Sequence, residues 1–391
     1  MQPLSASANA EYPGDVPAMD AVSDGGTAPR CTIALASRHL CVLPFFGLFS
    51  GDQHVSRASG SWIISALVFA ALVVAAAPGN AGSFNELVVI GDSLSDTGNI
   101  YARSGDTYPP SPPYDAGRYS NGPVWVEVLA DALGLPAPNA VFGPAPRDKT
   151  NWAQGGATTG YKTTELGETG ETGEIGMAWQ VDEIATDPTI TSRIEDALVV
   201  VWGGANDFLD APTTADPSTS ASNLADRVEK LIGLGARSFL LANLPPLDRT
   251  PEFTTINPAL ASLAEAFSTG FDTAYRAEVA ALEAAYPDVE FYYFDVYAIF
   301  EDVLANPGAY GFTNVTGSAL EGTTVVPDPD DYLFWDSVHP TRTGHAELGM
   351  LAAELVREPS EQPAVALLMM GLGGLVAQQR RGAMGGRPAS A

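Results

Sequence analysis

Positive charge is scarce in this chain: 391 residues hold 19 Lys and Arg against 47 Asp and Glu, a formal net charge of −28. A surface of that sign repels phosphate backbones and argues against nucleic acid as a partner. Cysteine is scarcer still, with Cys31 and Cys41 the whole supply. Both precede the stretch read below as a signal peptide, so the exported domain is expected to carry neither disulfide nor thiol chemistry. Histidine is limited to His39, His54, His339 and His345. Apolar runs are short as well, none reaching the roughly 20 residues that a membrane-spanning helix needs.

Two short apolar runs nevertheless mark the ends. Trp62 to Ala77 is continuously apolar, follows Arg57, and is succeeded by the small residues of Gly79-Asn80-Ala81. That order is expected of a secretory signal peptide cut after Ala81, a retained N-terminal anchor being the alternative. Residues 1–56 are too long and too acidic (Asp15, Asp20, Asp24, Asp52) for the start of a signal peptide, and read as an upstream start or a dispensable leader. At the other end, Arg357-Glu358-Pro359-Ser360 precedes an apolar stretch, Pro363 to Ala377, and then Gln378-Gln379-Arg380-Arg381. The order resembles the PEP-CTERM sorting tails of Gram-negative bacteria, although Arg357 stands where that motif usually has proline. The resemblance implies exosortase-type processing, transient membrane attachment and a secreted, envelope or matrix location; the basic end would stay cytoplasmic. An amphiphilic helix packed on the domain is the alternative. The expected organisation is therefore 1–81 leader and signal peptide, 82–356 functional domain, and 357–391 sorting or anchor segment. Together the two ends hold as many basic as acidic residues, so the whole charge excess sits on the domain.

Within the domain, four apolar runs are strand candidates: Glu86–Ile90, Ala197–Trp202, Ser238–Ala242 and Val289–Phe294. Near-continuous hydrophobic strands belong to a parallel sheet buried on both faces. Helical spacing is read in Val124–Leu133, Leu224–Leu234, Ala259–Tyr286 and from about Thr343 to Val356, with Gly134, Gly235 and Pro287 as stops. A weaker strand falls near Ala140–Phe142 or Thr150–Ala153. The alternation predicts a three-layer α/β/α sandwich with a central parallel sheet of about five strands. The Pro-rich stretch Tyr108–Tyr114, the acidic Gly-rich Glu165–Glu174 and Asp328–Asp331 read as loops. A cation site at either acidic stretch is the alternative, without the spacing of an EF-hand.

The G-x-S-x-G elbow of α/β-hydrolases is missing, yet the first strand runs straight into Gly91-Asp92-Ser93-Leu94-Ser95-Asp96-Thr97-Gly98. A serine at the carboxyl end of a parallel strand stands where such sheets gather function, although alone it is more often a helix N-cap. A serine nucleophile needs a base, and after processing only His339 and His345 remain. His339 follows Asp336 by three residues in a loop marked by Pro340, so the carboxylate can hold one ring nitrogen and leave the other for Ser93. His345, on the following helix, is the alternative. Oxyanion donors, worth about 3 kcal/mol each, can come from the glycine turn Gln154-Gly155-Gly156-Ala157 and from Asn206 in Gly204-Ala205-Asn206-Asp207.

These blocks, in this order, resemble those of the GDSL, or SGNH, hydrolase family. The resemblance covers about 85–356 and extends to Gly117–Trp125, Asn243–Pro246 and Tyr310–Val315. It implies a flavodoxin-like fold, a Ser93–His339–Asp336 catalytic triad, and an oxyanion hole of Ser93, Gly156 and Asn206, Gly155 being the less favoured glycine. It further implies an esterase or lipase acting on an ester or lipid substrate without metal or organic cofactor. Phospholipase, acyltransferase or polysaccharide O-acetyl esterase activity are the alternatives, with an inactive surface-binding protein behind them. The acidic stretch 165–174 is the visible departure and bears on substrate access.

Overall fold

The computed structural model describes residues 84–144, 149–167 and 171–357. The stretches read above as leader and signal peptide, and all but Arg357 of the stretch read as a sorting segment, lie outside the described residues. In chain order the sheet strands and their helices are β1 (Glu86–Gly91), α1 (Asn99–Arg103), α2 (Trp125–Leu133), β2 (Asn139–Ala140), β3 (Lys149–Asn151), the pair β4 (Thr163–Glu165) and β5 (Thr172–Glu174), α3 (Met177–Thr186), β6 (Ala197–Trp202), α4 (Ala205–Asp210), α5 (Pro217–Gly233), β7 (Ser238–Ala242), α6 (Ala261–Ala285), β8 (Glu290–Phe294), α7 (Val296–Ala305) and α8 (Arg342–Arg357).

The central sheet is parallel throughout, in the order β2-β3-β1-β6-β7-β8. It has six strands because both segments considered for the weak strand are strands, β2 and β3, lying side by side. After β1 the chain moves to one side and returns on the other, so β1 sits at the switch point where ligands bind in open α/β sheets.

Alternation explains why the strand runs read as continuously apolar. Val88, Ile90, Val199, Val201, Phe239 and Leu241 point into one core with side chains from α3, α5 and α6. Leu87, Val89, Leu198, Val200, Trp202 and Leu240 point into the other, against α2 and α8. Each fully buried Val, Leu, Ile or Phe contributes about 1.5–3 kcal/mol, so β1, β6 and β7 at the centre of the sheet are held from both faces. Trp125 braces the second core, edge-on to Trp202 and stacked on Phe294.

Two expectations need correcting. α5 begins at Pro217, seven residues before the expected start, because Asp216 caps it through the Ser218 N–H and Pro217 takes the first helical position. Sequence periodicity missed that polar first half. The acidic stretch expected as a loop instead gives Glu165 and Thr172–Glu174 to the antiparallel pair β4–β5, with 168–170 outside the described residues. Its Leu166 is buried against Ile100 and Ile175, giving a charged ribbon an apolar root. Among the described residues no helix is long and apolar enough to cross a membrane.

Candidate active site

Three neighbouring strands deliver three of the expected residues at their carboxyl ends. Ser93 follows β1, the Gly155-Gly156 turn follows β3, and Asn206 opens α4 just beyond β6. The end of β1 is clamped: Gln180 of α3 accepts from the Gly91 N–H at 2.9 Å and donates to its carbonyl at 2.8 Å. Asp92 then turns the chain, its carboxylate accepting from the Leu94 N–H at 3.0 Å. Ser93 is left with only 8% of its surface exposed.

The remaining pair comes from far along the chain. A tight turn closes with Trp335 N–H donating to the His339 carbonyl at 2.7 Å. Inside it, Asp336 Oδ1 accepts from the backbone N–H of Val338 at 3.0 Å and of His339 at 2.8 Å. The same carboxylate meets His339 Nδ1, at 2.7 Å from Oδ2. The Asp-x-x-His spacing is thus a local device, in which the carboxylate that bends the backbone also holds the ring. His339 Nε2 lies 2.8 Å from Ser93 Oγ. Ser93, His339 and Asp336 form one unbroken hydrogen-bonded line.

Charges act on this line in opposing ways. Burial works against a protonated His339, but Asp336, and Asp92 behind it, outweigh burial and hold its pKa above the usual histidine value. Burial also penalises the Asp336 anion, yet His339 and the two backbone N–H groups keep its pKa below the usual value. Such a pair can accept a proton from the serine and hold it as imidazolium.

At the strand ends, the N–H groups of Ser93 and Gly156 have no acceptor among the described residues. Gly156 adopts φ +78°, a backbone state that favours glycine. The Gly155 N–H donates instead to Asp96 at 2.9 Å, which removes it from any oxyanion role. Gly155 is glycine for another reason: a Cβ there would sit 2.1 Å from the Tyr119 hydroxyl. Asn206 donates one amide hydrogen to the Ala157 carbonyl at 3.0 Å. The other has only a long contact, 3.4 Å, to Asp92. Two free backbone donors and one loosely held amide hydrogen can together receive a developing negative charge.

His345 is elsewhere. It is fully buried, its Nδ1 accepts from the Trp125 N–H at 3.2 Å, and burial pushes its pKa down to about 3. It is a neutral fastener between α8 and the start of α2.

A family model described as GDSL-like Lipase/Acylhydrolase matches residues 87–352. The chain belongs to this family. Among curated relatives, the GDSL chain is 27% identical over 279 residues to the thermolabile hemolysin of Vibrio parahaemolyticus, covering 67% of this chain but only 61% of that one. It is 26% identical over 352 residues to the phosphatidylcholine-sterol acyltransferase of Aeromonas hydrophila, covering 77% of this chain and 98% of that one. Among solved structures, a GDSL-like lipase from Bacteroides thetaiotaomicron overlaps 74% of this chain and 96% of its own at 13% identity, with a TM-score of 0.34.

Several residues of this GDSL site escaped sequence reasoning. Asp96 accepts from the N–H groups of Gly98, Asn99 and Ile100 as well as Gly155, tying the start of α1 to the glycine turn. Asp92 and Asp96 are buried carboxylates, and burial outweighs their N–H partners and pushes both up to about 6. Lys162, just before β4, donates to the Gly156 carbonyl at 2.8 Å and pairs with Asp210. Arg103 of α1 bridges Gln154 and the carbonyl of Glu174 in β5. The hairpin root therefore touches the turn that carries Gly156. The Tyr119 ring packs on the His339 ring with centroids 5.2 Å apart. No local pattern announced Lys162, and Tyr119 stood out only as part of the Gly117–Trp125 stretch of the resemblance, without a role.

Proposed function

We propose that this chain is a serine esterase or lipase that cleaves carboxylic esters through an acyl-enzyme on Ser93. His339 takes the Ser93 proton as the oxygen attacks the ester carbonyl. The oxyanion is received by the N–H groups of Ser93 and Gly156 and by the Asn206 amide. The alcohol departs with the proton from His339, and water, activated by the same ring, releases the acid. Asp336 orients the ring and balances its transient charge. Each step is proton and acyl transfer between light atoms, so the chemistry calls for no cofactor.

The observation that carries this reading is the hydrogen-bonded line from Ser93 through His339 to Asp336. Its test is Ser93→Ala, expected to lower turnover of a nitrophenyl ester by about 10⁴–10⁶-fold and to abolish labelling by a fluorophosphonate probe, with the melting temperature held. Undiminished turnover would remove the assignment.

A second reading is favoured by the acyltransferase relative, which the chain matches over nearly its whole length. In it the acyl group passes from a phospholipid to an alcohol. A panel of nitrophenyl esters, phospholipids and acetylated sugars, with and without an alcohol acceptor, separates these activities by product. Export and sorting through the two terminal segments belong to the same proposal; N-terminal sequencing and C-terminal mass analysis of the secreted protein test them.

A further inference from the structure

We infer that the Tyr114 hydroxyl is a positioning residue for the Asp336–His339 pair, holding the carboxylate in place and setting the pH at which the histidine becomes a base. The inference rests on the serine-hydrolase reading above and deepens it.

Asp336 takes most of its hydrogen bonds from its own four-residue turn: the N–H groups of Val338 and His339, and the His339 ring. Those bonds shape the turn, and its backbone is tied outward by the Glu252 N–H donating to the Ser337 carbonyl at 2.9 Å and Ser318 Oγ donating to the Asp336 carbonyl at 3.0 Å. The carboxylate itself is held from outside the turn by Tyr114. It stands 222 residues earlier in the chain, in the Pro-rich segment that follows the nucleophile, and its hydroxyl donates to Asp336 Oδ2 at 2.7 Å. That is the oxygen 2.7 Å from His339 Nδ1.

The hydroxyl is aimed before any substrate arrives. The Tyr114 ring is held edge-on by Tyr119 and Trp335, at centroid distances of 6.4 and 6.1 Å. Further along the same segment, Ser120 Oγ donates to the Pro340 carbonyl at 2.9 Å, and Asn121 Oδ1 accepts from the Arg342 N–H at 2.7 Å. These two bonds bind the segment to the His339 turn whether or not the hydroxyl is present. The hydroxyl is therefore separable from the scaffold that carries it.

Its chemistry follows from the shared oxygen. A phenol donating to a carboxylate forms a charge-assisted bond and draws off negative charge that the imidazolium would otherwise feel. Burial and the nearby Asp336 anion keep Tyr114 protonated, so it remains a donor. The other titratable groups facing the pair are Asp92, Tyr108, Tyr119 and His345. Asp92 titrates near 6 and His345 near 3, while burial raises both tyrosines.

The experiment is the pH dependence of kcat and kcat/KM for the full chain carrying Tyr114→Phe, on a short-chain nitrophenyl ester. The expected result is a kcat about tenfold lower, KM nearly unchanged, the acid limb of kcat/KM raised by roughly half a unit, and an unaltered melting temperature. Site-specific 3-fluorotyrosine at position 114, a stronger donor of the same shape, should move the limb the other way. That arm decides the matter if the phenylalanine variant folds poorly. A limb that stays in place under both changes overturns the inference, whatever happens to stability. Wild-type chain that fails to react with a fluorophosphonate would instead overturn the serine-hydrolase reading.

Discussion

The two halves of the site are built on different principles. Ser93, Gly156 and Asn206 sit at the ends of adjacent strands, and their spacing is set by a sheet buried on both faces. Asp336 and His339 ride on a turn outside the sheet, folded by its own carboxylate and gripped by Tyr114, Ser120 and Asn121. The strand-end half is rigid by inheritance from the core, whereas the turn half needs specific polar contacts to be equally well placed. Changes in the first half should therefore act on transition-state charge, and changes in the second on geometry and basicity.

Asp336→Asn tests the turn half hardest. Asparagine can still accept the Val338 and His339 N–H groups, so the turn should survive while the ring loses its anion. The expected loss is about 10³–10⁴ in kcat, below that of Ser93→Ala. Circular dichroism and the melting temperature would report whether the turn held; a loss under tenfold would put the ring's orientation in other hands. Asn206→Ala tests the strand half. Removing one oxyanion donor should cost about 10²–10³ in kcat with little change in KM. A rise in KM alone would move Asn206 from charge stabilisation to substrate binding.

Asp92 lies between the halves and gives the smallest effect. His339 must be neutral to accept the serine proton, and its pKa is raised above the usual value, so activity should fall as the pH drops through a point above 6.5. Asp92 is one of the groups raising it. Asp92→Asn should shift the acid limb to lower pH by less than about one unit, as a pH series on a nitrophenyl ester would show. A limb that moves upward would mean that Asp92 acts on His339 mainly through Asn206.

The contrast also explains what could be read from sequence. Ser93 and Asn206 were legible because β1 and β6, buried on both faces, leave apolar runs, and the ends of such strands are where these sheets act; Gly156 follows the polar β3 (Lys149–Asn151) and was legible only through its glycine turn and the family resemblance. The Asp336–His339 pair was legible because its hydrogen bonds are local, three residues apart. Tyr114 was not, since its partner lies 222 residues further on and a tyrosine in a Pro-rich loop looks alike whether or not it meets a carboxylate; nor were the contact of Tyr119 with His339 and that of Lys162 with the Gly156 carbonyl, which follow no regular spacing. The polar start of α5 hid behind Ser and Thr, and the hairpin behind its charge.

The hairpin's footing has a practical consequence. Lys162 and Arg103 fasten it to the peptide that carries Gly156. Exchanging this ribbon for one from another member of the family should alter the speed of bond cleavage together with the choice of molecules admitted. An engineer who wants to change only the guest list should leave those two cations where they are.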